Sequence, residues 1–159
     1  MSQTEYDDAM LLHFGPLHAE SVAALCAYLV ECRKFFNGDL DLCLVMMVIG
    51  ERTFTHKNAP DISYAQWADA PVGSVKHEAI NLQSIADYSG IPRETVRRKL
   101  DWLVARGWVA RDDRRYVYAT DQAKRDLQGL TEGNLRYLSA LRRAFARGSE
   151  AQTTLSASA

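Results

Sequence analysis

Between Ile80 and Thr120 the chain reads INLQSIADYSGIPRETVRRKLDWLVARGWVARDDRRYVYAT, and its glycines and prolines leave few ways to fold it. Leu82, Ile85 and Ala86 fall at helical spacing, and Gly90 supplies the permissive backbone for a sharp exit, so a short helix stops near Ser89. Pro92 has its φ preset for a first helical turn and lacks a donor that would be unpaired there, so a second helix starts at about Pro92. Ser89 to Ile91 form the turn between them. At 100° per residue the second helix gathers Val96, Leu100, Leu103 and Val104 on one side, with Glu94, Arg98 and Ala105 opposite. Gly107 ends it. Trp108, Val109 and Ala110 before Arg111 to Arg115, with Tyr116, Val117 and Tyr118 after, read as a short antiparallel hairpin tipped with charge.

Two helices joined by a turn of three to four residues, the second exposing a polar and basic face, have the shape that enters a DNA major groove. Arg97, Lys99, Thr95 and Ser84 are then candidates for phosphate contacts. Pro92-Arg93-Glu94-Thr95-Val96-Arg97-Arg98 resembles the recognition helix of CRP/FNR-type regulators, whose Arg-Glu-Thr-Val-x-Arg run sets two arginines and the glutamate on bases. That resemblance implies Arg93, Glu94 and Arg98 as base readers. From Leu100 to Leu127, with Asp112-Asp113-Arg114-Arg115 and Thr120-Asp121-Gln122-Ala123, the chain is similar to the MarR family of bacterial regulators, whose wing carries an Asp-x-Arg element that goes to the minor groove. The implied minor-groove residue is Arg114 or Arg115, with Arg111 at the base of the same wing. The chain departs from the usual pattern at Ser89, where an apolar residue normally precedes the turn glycine, and no series of short strands before Ile80 matches the CRP β-roll.

Charge is segregated along the chain. Residues 1–92 carry 5 Lys/Arg against 12 Asp/Glu, a net of −7; residues 93–125 carry 10 against 5, a net of +5; residues 126–159 carry 4 against 3. The overall charge of −1 therefore hides a basic segment, and the local field is what a polyanion meets.

The flanks read as helical. Pro16, or Ser21 a little later, opens a helix with Val22, Leu25, Leu29, Cys32 and Phe36 on one side, which Gly38 ends. Asp39 or Asp41 begins another through Leu42 to Ile49, apolar nearly all round, and hence either the spine of the domain or part of a subunit interface. In 56–79, His56, Asn58, Pro60, Asp61, Pro71 and Gly73 break periodicity around Tyr64 and Trp67, with a short helix from Ser63 to Ala68; the two aromatics either cover a small-molecule effector pocket or pack the loop onto the domain. Thr120 caps a further helix carrying Ala123, Leu127 and Leu130, and Leu135, Leu138, Leu141 and Phe145 continue the stripe past a kink or break at Gly129 and Gly133. The stripe exceeds what a small winged domain needs, so it is assigned to the N-terminal helices and the same helices of a second copy, the alternative being packing within one chain. The small polar residues 148–159 predict a disordered tail.

The expected fold is mainly α with a small β-hairpin wing, a winged helix-turn-helix flanked by N- and C-terminal dimerisation helices. Its parts are 1–55 N-terminal helices, 56–79 irregular connection, 80–120 DNA-binding region, 121–147 C-terminal helix or helices, and 148–159 tail. The expected partners are double-stranded DNA at a pseudo-palindromic site and a second copy of the chain. Winged-helix docking to protein without DNA is the alternative. The chain opens without a charged-then-apolar leader, and its longest apolar run, Leu42 to Ile49, is far short of the ~20 residues that cross a bilayer, so a cytoplasmic protein with no membrane partner is expected. Cys26, Cys32 and Cys43 form no paired motif; Cys26 or Cys32 is the candidate for an oxidation-sensing thiol, only Cys32 having electropositive neighbours in Arg33 and Lys34, and burial is the simpler account. His13, His18, His56 and His77 lack metal-ligand spacing, and neither a nucleophile turn nor a phosphate loop is present, so no enzyme activity, metal or cofactor is expected.

Overall fold

The computed structural model describes residues 8–53, 61–72, 78 and 80–156, with backbone alone at 8, 9 and 147–156. His56, Asn58, Pro60, Gly73 and His77 lie outside the described residues. The described chain is mainly helical with one two-stranded antiparallel sheet: α1 (Asp8–Leu12), α2 (Phe14–Phe35), α3 (Leu40–Thr53), α4 (Tyr64–Asp69), α5 (Leu82–Ser89), α6 (Arg93–Ala105), β1 (Val109–Arg111), β2 (Val117–Ala119), α7 (Asp121–Asp126) and α8 (Gln128–Ser156). Two compact units emerge, one of residues 1–34 and 129–159, the other Phe35–Gln128.

In the second unit α3 is the spine. Leu42, Cys43, Val45, Met46, Val48 and Ile49 are buried, and the helix packs on β2, α5 and α6. The N-terminal block expected over 1–55 is thus divided, α2 belonging to one unit and α3 to the other. Asp39 opens α3 by accepting the Leu42 N–H in its carboxylate (2.9 Å), after a turn in which Asn37 and Gly38 take left-handed φ of 53° and 90°. Thr53 closes it. Its hydroxyl donates to the Ile49 carbonyl (2.8 Å) and accepts the Ala119 N–H (3.0 Å), which fastens β2 to α3.

Local chemistry sets the helix ends around α6. Asn81 caps α5 through the Ser84 N–H (3.0 Å), and Gly90 leaves it at φ 71°. Ser89, where an apolar residue is usual, accepts the Ile91 N–H in its hydroxyl (3.2 Å), and the neighbouring Ile91 supplies the buried side chain instead. The connection is Gly90 to Pro92, three residues as expected but one later in the chain. At the far end Gly107 (φ 78°) donates to Val104 and Trp108 to Leu103, the paired bonds of a Schellman close. Val96, Leu100 and Leu103 are buried, whereas Val104, expected with them, is exposed at the margin of the stripe. Trp108 meets Phe36 and Trp102 edge to face at 5.8 and 5.7 Å and donates its indole N–H to Asp126 (2.8 Å).

The hairpin pairs Val109 with Ala119, Ala110 with Tyr118 and Arg111 with Val117, and Ile80 adds a single bridge to Val117. The Ser63 capping box with Gln66 forms α4, and this segment packs onto α7: Lys124 donates to the carbonyls of Trp67 and Ala70, its ammonium lies 4.7 Å from the Trp67 ring centroid, and Asp121 accepts the Val72 N–H (2.7 Å). These bonds favour packing over pocket cover for Tyr64 and Trp67.

In the first unit, Tyr28 of α2 stacks on Tyr137 of α8 (5.9 Å between centroids) and Glu31 accepts from Arg136 (2.8 Å). The helix does not break at Gly129 or Gly133. The break falls earlier, at Leu127, and Gly133 is the point where the end of the Glu31 side chain lies over the α8 backbone. Of the tail expected over 148–159, residues 148–156 continue α8, since Ala, Glu and Gln follow Gly148 and extending an existing helix needs no new nucleus, and 157–159 lie outside the described residues. Cys32 is fully buried, which removes it as an accessible thiol, while Cys26 is exposed. Among the described residues no helix is long and apolar enough to cross a membrane.

Candidate nucleic-acid interface

Residues four apart on a helix share a face. Arg93 and Arg97 therefore stand together on one flank of α6, and the hairpin brings Arg111 and Arg115 opposite them. These four guanidinium groups, with Asn81, Leu82 and Gln83 from the start of α5, line a groove of about 810 Å³. A helix start presents unpaired N–H groups and the positive end of its dipole, so the third wall adds to the same sign of field.

Two of the four arginines are held by carboxylates. Arg97 grips Glu94 with Nε (3.1 and 2.9 Å) and Nη2 (2.6 Å), and its Nη1 donates to Asp101 (2.8 Å). Asp101 uses its other oxygen for Nη2 of Arg111 (2.9 Å), so one carboxylate links α6 to β1. The hydrogen bond from Arg97 holds the Glu94 carboxyl below its ordinary range, and the charges of Arg97, Arg98 and Arg93 add to this against a small opposing effect of burial. Glu94 in turn raises the Arg97 guanidinium above its usual value. Arg97 therefore stays charged. Among the described residues, no carboxylate pairs with Arg93 or Arg115.

Arg98 and Lys99 are not on this groove. Lys99 lies two residues, hence about 200°, beyond Arg97, so the two cannot serve one phosphate from a straight helix. Lys99 instead pairs with Asp39, tying α6 to the start of α3. Burial pushes the Asp39 carboxyl up, but the hydrogen bonds from Lys99 and the Leu42 N–H outweigh it and leave its pKa below the ordinary value. Arg98 is exposed beside a second hollow of about 350 Å³ with Phe36, Leu42 and Trp102, and no carboxylate among the described residues pairs with it. Thr95 is half-buried, and the Ser84 hydroxyl is turned to the Asn81 carboxamide (3.3 Å).

At the hairpin tip one oxygen of Asp112 accepts the N–H groups of Arg114 (2.9 Å) and Tyr116 (2.8 Å), and Arg115 takes a left-handed φ of 64°. Both tip arginines are exposed. Comparison with known protein families, curated proteins and solved structures finds no match for the chain. The residues sequence reasoning missed are Asp101 and the α5 cap Asn81. The spacing of Asp101 from Arg97 was visible as an i,i+4 pair, but its bond to Arg111 depends on how the hairpin folds back.

In the first unit, Leu135, Leu138 and Phe145 are exposed on α8 and Leu141 is half-buried; Val22, Leu25 and Leu29 are exposed on α2.

Proposed function

We propose that this chain is a winged helix-turn-helix transcription regulator, MarR-like and bacterial in type, which binds a pseudo-palindromic duplex site as a homodimer in the cytoplasm. In this reading α6 is the recognition helix, Arg93, Glu94 and Arg98 read base edges, β1 and β2 form the wing, and Arg114 or Arg115 enters the minor groove. The observation that carries it is the groove between α6 and the hairpin, where four arginines, outnumbering Asp101 and Asp112, line one hollow with the start of α5. Arg98, with Glu94 already taken by Arg97, is free to pair its planar fork with a guanine. A protein-docking module does not require this concentration of cations on one groove.

The test is a mobility shift on duplex DNA at increasing salt. Two subunits making about four phosphate contacts each give a log–log slope of roughly −7; a slope shallower than about −2, or no binding at low salt, points to protein docking. On a duplex selected from a random pool, Arg98→Ala costs about 2 to 6 kcal/mol over two half-sites and much less on random duplex.

A further inference from the structure

The Asp101 carboxylate is an unfavourable neighbour for a phosphate strand, yet it lines the groove with four arginines. It does not brace the fold strongly: the side chains of Arg97, Asp101 and Arg111 are 50%, 47% and 41% exposed, and exposed ion pairs contribute little to stability. What it does is geometric. One oxygen takes Arg97 on α6 and the other takes Arg111 on β1, so two long side chains on opposite walls share one fixed point.

We propose that Asp101 is a positioning residue that sets discrimination among duplex sequences by holding Arg97 and Arg111 as a fixed pair across the groove. This rests on the duplex-binding reading above. Free arginines follow any phosphate backbone, because each can rotate to wherever a phosphate lies. Arginines tied to a common carboxylate fit only a strand whose phosphates fall at the spacing they define, and that spacing varies with sequence-dependent groove width. Arg93 and Arg115 supply the unpaired cations, so general attraction to DNA does not depend on the tethered pair. Asp101 thus lowers overall affinity and raises selectivity.

The experiment compares the full-length protein with Asp101→Asn by fluorescence anisotropy, on the selected duplex and on random duplex, over a salt series. In Asp101→Asn, binding to random duplex strengthens by about three- to tenfold and its log–log slope steepens by about one per subunit, because Arg111 is released to phosphate while Glu94 still holds Arg97. The ratio of selected to random affinity falls about tenfold. Asp69→Asn on α4, exposed and outside the groove, makes the same change in net charge and leaves the ratio as it was. An unchanged ratio in Asp101→Asn overturns the proposal, as does equal weakening on both duplexes with a lowered Tm, the mark of a brace alone. Wild-type protein that binds neither duplex at low salt overturns the duplex reading itself, a result distinct from binding with an unchanged ratio.

Discussion

Thr53 does at one residue what β-sheet pairing does along a strand. Its hydroxyl is buried, donates within α3 and accepts the Ala119 N–H across 66 residues of chain. Thr53→Val keeps the shape and orphans that N–H, so unfolding stability falls by about 1 to 3 kcal/mol in a denaturant titration, whereas Thr53→Ser retains the bond and loses roughly the 1 kcal/mol of a buried methyl. Arg115 presents the opposite balance. At φ 64° a side chain costs about 1 to 2 kcal/mol, and glycine returns about 0.5 to 1 of that as extra freedom of the unfolded chain. Arg115→Gly therefore raises stability by about 0.5 to 1 kcal/mol in calorimetry while weakening duplex binding, and Arg115→Ala weakens binding without the gain. Unchanged binding in both variants would show that the tip does not meet the nucleic acid.

At the scale of elements, α6 is positioned from three sides: Val96, Leu100 and Leu103 against the core, Lys99 to Asp39 at the start of α3, and Asp101 to Arg111 on the hairpin. The Asp39 link makes this placement acid-sensitive. Because the folded carboxyl ionises below its unfolded value, near pH 3.9, its contribution is whole above that pH and is lost as pH falls through the lower folded value. Asp39→Asn keeps the cap, because the carboxamide oxygen still accepts the Leu42 N–H, and loses the solvent-screened pair with Lys99, so it is less stable than the parent by about 0.2 to 1 kcal/mol at neutral pH, and thermal melts of the two converge as pH falls through the lowered folded value. Most element borders were legible beforehand, because glycine, proline and capping residues act within a few positions of themselves: Gly90, Pro92, Gly107 and Thr120 each fall at or next to a helix boundary. Gly133 misled for the same reason. Read locally it interrupts a helix, but α8 runs through it unbroken, with the Glu31 side chain of another element lying over it.

At the scale of the molecule, the apolar faces of α2 and α8 remain exposed, and α8 alone spans roughly 43 Å at 1.5 Å per residue. Such faces suit a second copy of the chain, in keeping with the proposed dimer. Leu138 is half exposed, so Leu138→Arg leaves the protomer folded and yields monomer by light scattering, with duplex affinity reduced as one half-site is lost; an unaltered dimer removes the stripe from the interface.

The sequence by itself determined which segments are helical, where most of them begin and end, where the hairpin lies and that positive charge gathers around α6 and the hairpin, because these depend on periodicity and on residues acting over one or two turns. Only the tertiary structure decided that α3 parts from α2, that Lys99 turns to Asp39 and away from the arginines, and that Asp101 joins α6 to Arg111. The two ion pairs rest on charged side chains with several partners within reach, and which partner each takes is settled by elements brought together from 10 to 60 residues away.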